Sequence, residues 1–460
     1  MRDSHKIGNR LLLAMLTVAV MLLGATVLAP YSLAHPALEV AQGNGANFKY
    51  IQRALYLLKD QYVEKPDFNA LLKSAGQGVK VYLKEQKLSF PALDKFPTSP
   101  SADANLETLV GYMQKISADN KGKVNEQKLL YYALKGLMFG LKDPYSVALE
   151  PKEFKHLKES MSGGNFGGVG IYIELDRHHK NQLMVVEPID DTPAAKAGLR
   201  PGDWILNINK VSTKGIDLEV AANRIRGPVG TPVVLEIQPK GKGPTHNVTM
   251  TRSLIHVKSA TGKMLPNQIG YIRLRFFGED TGEEVEQALT ALEGKGMKGL
   301  ILDVRNNGGG YINAAQQTCS QFLPRGQVVV SVVGRKRDTE TNRSSGSNHK
   351  NVPMVVLING FSASASEITA GALQDTHVAT LIGTKSFGKG TVQTLQDLPD
   401  GGSLKFTIAH YLTPSGRNIN KKGIKPDIEV KMDAAKVGQA TGDTQLQAAE
   451  KFLKGKMAGH

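Results

Sequence analysis

A single cysteine in 460 residues is the sharpest scarcity in this chain. Cys319 has no partner for an internal disulfide, so the fold must be held by packing and hydrogen bonds rather than by covalent staples. It falls inside a stretch of helical pattern, Ala314 to Phe322, with no glycine-rich approach, and reads as a buried thiol. The histidines do not supply a metal site in its place. His178 and His179 stand together in a turn with no further Cys, His or carboxylate at ligand spacing, so no metal is expected. Aromatic residues make up only 6% of the chain, with one Trp, and form no cluster on which bases could stack. No nucleic-acid motif occurs. The basic surplus, 57 Lys and Arg against 42 Asp and Glu, therefore points to an anionic membrane surface or acidic partners and not to nucleic acid.

No cofactor signature is complete either. Gly383 to Gly390, GTKSFGKG, contains most of a phosphate-binding loop, but residue 390 is Gly where a Mg-binding Ser or Thr is required. A strand-like stretch, Thr391 to Leu398, then follows where such a loop needs a helix. Nucleotide binding is set aside and no cofactor is expected. Asn247-Val248-Thr249 and Asn342-Arg343-Ser344 fit the glycosylation triplet, which is short enough to arise by chance.

What is present divides the chain into about three domains, as its length suggests. Residues 1–34 carry Arg2, Lys6 and Arg10, an apolar run over 11–28, and the small-x-small triplet Ser32-Leu33-Ala34. This predicts an export signal or an uncleaved membrane anchor, with the body in the periplasm or cell envelope. Residues 35–152 read as a helical region. Phe48, Ile51, Leu55, Leu58 and Tyr62 form one apolar stripe, Leu88 to Ser101 reads as a Pro- and Ser-rich loop, and Leu106 to Ile116 and Leu129 to Leu141 resume the helical period.

Residues 153–252 change grammar. Phe166-Gly167-Gly168-Val169-Gly170-Ile171 leads into an alternating strand, and a second glycine-rich motif runs from Pro193 to Asp203 before a strand and a short helix. Glycines ahead of a strand leave backbone N–H groups free to capture a terminal carboxylate, and the strand edge can take up an extended peptide. The segment resembles a PDZ domain of the bacterial type. Gly168, Val169, Gly170 and Ile171 are then the peptide-binding residues, and protein C-termini the ligands.

Residues 253–432 alternate strand and helix: Ile269–Phe276, 281–292, Leu300–Val304, 313–322 and Val328–Val333. Arg335 to Lys350 is polar and serine-rich and reads as a loop, a hairpin is expected around Pro399 to Gly402, and residues 433–460 read as a tail with a short charged helix. The central stretch is Asn359 to Gln393. It joins two buried-strand patterns, Val355 to Ile358 and Val378 to Ile382, through a helix whose first turn holds Ser364. Ser364-Ala365-Ser366-Glu367 fits a capping box, in which the serine only satisfies orphan amides. Lys389 opens the other reading. Its loop leaves a neighbouring parallel strand at the same sheet edge, so Ser364 and Lys389 can meet as nucleophile and base. Gly308-Gly309-Gly310, after the strand at 300–304, reaches that edge too, and with the Ala365 N–H it can furnish an oxyanion hole.

These residues resemble the carboxyl-terminal processing proteases, serine enzymes with a Ser/Lys dyad. In that family the middle serine of S-A-S-A-S-E is the nucleophile, here Ser364; the lysine of F-G-K-G is the base, here Lys389; and a later glutamine, here Gln393, orients the lysine. The resemblance runs from about Leu129 to Val430 and also takes in Leu302 to Gly310, Asp375, which supports the site in relatives, and Tyr411 to Arg417. It implies a crotonase-like α/β protease core with an inserted PDZ domain and a helical N-terminal region. It further implies cleavage of proteins near their C-termini, a PDZ domain that gates activity, pairing of two copies through the N-terminal helices, and a candidate role for an adaptor protein. The lysine must be held neutral, which requires burial and an absence of carboxylate contacts. Two other readings stand beside this one: a Ser-His-Asp hydrolase using His377 or His410 with Asp303 or Asp375, and an inactive PDZ scaffold.

Overall fold

The structure, a computed structural model, describes residues 48–161, 166–176, 179, 181–189, 191–255, 257–336, 338–349, 351–432, 437–438 and 442–458. The expected leader or anchor lies outside the described residues. No described helix is long and apolar enough to cross a membrane. The chain divides into two compact units, one formed by Lys158–Lys258 and the other by the segments that flank it.

Four helices open the described chain: α1 (Lys49–Gln61), α2 (Phe68–Glu85), α3 (Ala102–Asp119) and α4 (Glu126–Phe139). Asp67, Ser101 and Asn125 cap the last three by accepting an N–H of the first turn, which satisfies donors that the helix itself cannot. The stretch 88–101 is not all loop, because Pro91–Lys95 forms one 3-10 turn. The apolar stripe on α1 has a definite destination. Phe48, Ile51, Leu58 and Tyr62 are buried in this region's own core with Leu72, Leu109 and Leu134, so the stripe cannot be the face that pairs with a second copy. Short strand β1 (Val147–Leu149) and helix α5 (Pro151–Met161) follow.

The inserted unit has its own core. It contains β2 (Phe166–Gly168), β3 (Ile171–Asp176), β4 (Gln182–Pro188), α6 (Pro193–Lys196), β5 (Trp204–Ile208), β6 (Val211–Ser212), α7 (Leu218–Ile225), β7 (Pro232–Gln238), β8 (His246–Thr251) and β9 (Ser253–Ile255). β3, β4, β5, β7 and β8 form one antiparallel sheet with β6 beside β5, while β2 pairs with β9. Val169, Val185, Ile205, Ala221, Leu235 and Ile237 pack inside it.

After the insertion come β10 (Ala260–Leu265), β11 (Ile269–Leu274), α8 (Thr281–Gly294), β12 (Gly299–Asp303), α9 (Ile312–Ser320), β13 (Val328–Gly334), β14 (Thr339–Arg343), β15 (Met354–Ile358), α10 (Ala365–Asp375), β16 (Ala379–Gly383), β17 (Thr391–Asp397), β18 (Ser403–Leu412), β19 (Ile428–Glu429) and α11 (Thr444–Ala458). The main sheet runs β10-β11-β12-β15-β16-β19, parallel except for β10. Alternate side chains explain its unbroken apolar runs. Leu300, Leu302, Val356, Ile358 and Leu381 face α8, α9 and α10, whereas Ile301, Val355, Leu357 and Ile382 pack against Ala449 and Leu453 of α11.

A second, antiparallel sheet places β18 between β1 and β13, with β14 beyond β13 and β17 also on β18. Two expectations change here. β13 does not continue the crossover units, because it pairs with β18 and leaves β15 as the parallel neighbour of β12. Its Val-rich sequence suits either sheet, and only tertiary pairing chooses between them. The polar stretch after it contains β14, an edge strand exposed enough to show no apolar period. The expected hairpin is β17–β18, whose Leu398, Leu404 and Phe406 enter the core of the N-terminal helices. The helical region is thus built onto the protease core.

One buried ion network ties α11 to the sheet. Arg305, fully buried after β12, donates to Asp303 (2.7 Å) and to both carboxylate oxygens of Asp443 (2.7 and 2.8 Å) just ahead of α11. Removing one member strands a buried charge, so Asp443→Ala is expected to cost about 3–5 kcal/mol. Denaturant unfolding of the two proteins measures this directly.

Candidate active site

Strands β12, β15 and β16 are parallel and end at one edge, so the loops 304–311, 359–364 and 384–390 leave the sheet side by side. Side chains lock them together. Asn359 Oδ1 accepts the Asn306 N–H (3.0 Å), the Ser362 hydroxyl donates to the Val304 carbonyl (2.8 Å), and the Ser366 hydroxyl donates to the Asn307 carbonyl (2.8 Å). The Phe387 N–H reaches the Ser362 carbonyl (3.0 Å) from the third loop.

Ser364 sits on the turn between β15 and α10 with φ 58° and ψ −115°, a conformation that L-residues rarely adopt. Such a turn stores about 1–3 kcal/mol and holds only where its surroundings over-determine it. The surroundings here are Glu367. Its Oε2 accepts the N–H of Ser364 (2.9 Å) and of Lys389 (2.8 Å), while Oε1 accepts the Ser386 hydroxyl (2.5 Å) and the Gly388 N–H (2.7 Å). Half of the capping box therefore forms. The serine half makes no hydrogen bond: the Glu367 N–H goes to the Ser364 carbonyl (2.8 Å), and the Ser364 hydroxyl, fully buried, has no hydrogen-bond partner among the described residues. Burial pushes the Glu367 carboxyl up, and its four donors only partly offset that.

Lys389 is 1% exposed, and its Nζ lies 4.9 Å from the centre of the Tyr145 ring. Burial holds its amine well below the ordinary lysine range, and the nearby Lys405 charge pushes the same way. Asp143 and Glu367 oppose them. These two carboxylates are close enough to be felt, and burial outweighs them. The Tyr411 hydroxyl bridges the backbone of the pair, within bonding reach of the Ser364 carbonyl (3.2 Å) and of the Lys389 carbonyl. Gln393 is buried. Its Nε2 donates to Thr391 (2.8 Å) and Thr407 (3.3 Å), and its buried Oε1 has no partner among the described residues. Asp143 Oδ2 accepts the hydroxyls of Ser146 and Thr407, each at 2.6 Å, and so fixes the turn that carries Tyr145.

The glycines differ in what they offer. A Cβ on Gly309 would stand 2.8 Å from the Ser364 Cβ, so only glycine lets the loops approach this closely. The Gly309 N–H is already donated to Asn307 Oδ1 (2.9 Å). Among the described residues no acceptor takes the N–H of Gly310 or of Ala365. In the inserted unit Gly168 ends β2, Val169 is buried, Gly170 adopts φ 75° where a Cβ would meet Thr192 at 2.4 Å, and Ile171 opens β3. The Val169 and Gly170 N–H groups likewise have no acceptor among the described residues.

The histidine reading finds no geometry. Neither His377 nor His410 hydrogen-bonds the Ser364 hydroxyl, which has no partner among the described residues. Asp303 is taken by Arg305 and Tyr271, and Asp375, at the far end of α10, is taken by Ser415 and Arg417. Asp375 therefore holds the 413–417 turn and does not reach the serine. Cys319 is buried with its thiol pushed up to about 12, unreactive as expected. The described residues include no cluster able to hold a metal, and His179 pairs with Asp176 (2.8 Å).

Three features were not legible beforehand as parts of a site. Glu367 reads as a cap, the Asp143-Pro144-Tyr145-Ser146 stretch as the end of a helical pattern, and Lys405 as one residue of the expected hairpin. Replacing Glu367 by Gln tests its role. An amide can turn only one oxygen toward four donors, so its NH2 must face two of them, and Glu367→Gln is expected to lose about 2–4 kcal/mol of stability together with activity. Thermal melts and peptide cleavage on the same preparation would check both.

Comparison with known proteins agrees with this arrangement. The profile of Peptidase family S41 matches residues 268–430, and that of the PDZ domain matches residues 184–239. The carboxy-terminal processing protease CtpA of Bacillus subtilis is 35% identical over 367 residues, covering 78% of this chain and 78% of the relative. The carboxy-terminal-processing protease of Bartonella bacilliformis is 41% identical over 312 residues, covering 66% of this chain and 70% of the relative. Among solved structures, the photosystem II D1 C-terminal processing protease superposes with a TM-score of 0.50 at 27% identity, covering 89% of this chain and 97% of its own. An α/β core of this family, interrupted by a PDZ domain and preceded by helices, makes the chain a serine protease: it belongs to the carboxyl-terminal processing proteases of peptidase family S41.

Proposed function

We propose that the chain is an exported endopeptidase in which Ser364 attacks the scissile carbonyl and Lys389 takes its proton. One observation carries this reading: a buried serine hydroxyl without a partner stands on a strained turn whose backbone shares a carboxylate oxygen with the backbone of a buried lysine. Neutral Lys389 then returns the proton to the leaving amine. Gln393 Oε1 orients the lysine Nζ, and the Gly310 and Ala365 N–H groups stabilise the oxyanion. Gly309 serves by its small size. Because no hydrogen bond joins Ser364 to Lys389 here, the pair closes when substrate enters, as apo catalytic contacts commonly do.

The PDZ unit reads the substrate's C-terminal carboxylate through the free N–H groups at Val169 and Gly170, and β3 takes up the extended chain. Capture there shifts the protease toward its active arrangement, which requires differential affinity for the two states. The apolar segment 11–28 directs the chain to the periplasm or cell envelope.

Ser364→Ala, Lys389→Ala and Lys389→Arg are each expected to abolish peptide cleavage without unfolding, since arginine cannot give up its proton. Activity should rise with pH as Lys389 loses its proton, with the limb below the ordinary lysine range because the amine is held down by burial. Single-turnover acylation of a short peptide, followed across pH, measures that limb. An active Lys389→Ala enzyme, or a limb that disappears with His377 or His410, would overturn the assignment. For the PDZ unit, an unfolded substrate with an apolar C-terminus is expected to be cut faster than the same chain amidated or ending in Asp-Asp. Equal rates for all three would remove carboxylate recognition from the reading.

A further inference from the structure

Lys405 is a buried lysine for which the reaction above has no use. It lies on β18 and is 7% exposed. The register sets Leu395 and Val147 against it on either side, and sets Gln393 against Thr407 two residues on. Side chains two apart on a strand share a face. Leu404 and Phe406 turn into the core of the N-terminal helices, so Lys405 and Thr407 turn the other way. On that side the Thr407 hydroxyl donates to Asp143 (2.6 Å) and accepts from Gln393 (3.3 Å), which marks the face as the wall of the chamber that holds Lys389.

We propose that Lys405 is the positioning cation of this site: its ammonium, set into the same closed chamber, keeps Lys389 in the uncharged form that can take the serine's proton. The proposal rests on Lys389 being the base. Two ammonium groups shut away from water each disfavour the other's charge, and the one whose charge is less disfavoured keeps its proton. Lys405 has Asp143 close by, and burial lowers its amine only to about 8. Lys389 is lowered further. The titratable groups that face Lys389 are Lys405 and Tyr411 from β18, Asp143 and Tyr145 from the turn after α4, and Glu367 from α10. Tyr411 is neutral, since burial pushes its hydroxyl well above the usual range. Among these groups Lys405 supplies the positive charge that offsets the two carboxylates. Environments that push two like groups apart in this way separate a base from a spectator.

The test is the pH profile of single-turnover acylation by the full chain, with Lys405→Met, Lys405→Gln and Lys405→Arg beside wild type. Removing a neighbouring cation raises the Lys389 pKa, so the Met and Gln proteins should show the rising limb displaced upward by about one pH unit, the order expected for a nearby charge at an effective dielectric of about 20. Their rate at neutral pH should fall roughly tenfold and recover on the alkaline side. Lys405→Arg keeps the charge and should keep the limb in place. A limb at the wild-type position in folded Lys405→Met, or a rate lowered by one factor at every pH, overturns the proposal. Loss of fold in both neutral variants also overturns it, because Lys405 would then be structural. Failure of the base assignment is read separately: it appears as an active Lys389→Ala enzyme, whatever Lys405 does.

Discussion

The buried carboxylate of Glu367 is the constraint on which the active site depends. Taking an ionised carboxylate out of water costs several kcal/mol unless donors replace the lost hydration. Four donors do so here, and they come from the Ser364 turn and from the loop after β16. Satisfying one charge therefore brings together two loops from neighbouring strands. The strained backbone at Ser364 and the seating of Lys389 both follow from that convergence, with Tyr411 closing the far side through the two carbonyls.

Lys389 is shut away from water, and one sheet cannot enclose it. The second sheet closes it, and the hairpin β17–β18 serves two masters: Val392, Ala409 and Tyr411 belong to the protease core, while Leu404 and Phe406 belong to the core of the N-terminal helices. Those helices are consequently packed into the wall around Lys389. The turn that leaves α4 delivers Asp143 and Tyr145 to the chamber, and Tyr131 on α4 bonds to Asp400 at the hairpin tip (3.0 Å).

The inserted PDZ unit has a separate core from the protease. Glycine at 170 answers the same steric demand as glycine at 309, since in both places a Cβ would collide with a neighbour that the site needs close by. At both places backbone N–H groups, those of Val169 and Gly170 and those of Gly310 and Ala365, have no acceptor among the described residues.

By itself the sequence determined the architecture and the identities at the centre. Unbroken apolar runs at 354–358 and 379–383 required a sheet covered on both faces, and parallel strands required the loops of Ser364, Lys389 and the glycines to emerge at one edge. These properties are local, written in period and spacing. Tertiary structure decided what pairing alone can decide. Whether Ser364 caps its helix depended on where the Glu367 N–H went, and whether β13 joined the parallel sheet depended on β18. Lys405 and Asp143 became neighbours of Lys389 only because a strand and a turn more than 260 residues apart are packed together, as the bond from Thr407 to Asp143 records. Charge on a strand's alternate face looks solvent-exposed in sequence, and it changes meaning only when a second layer covers that face and takes the water away.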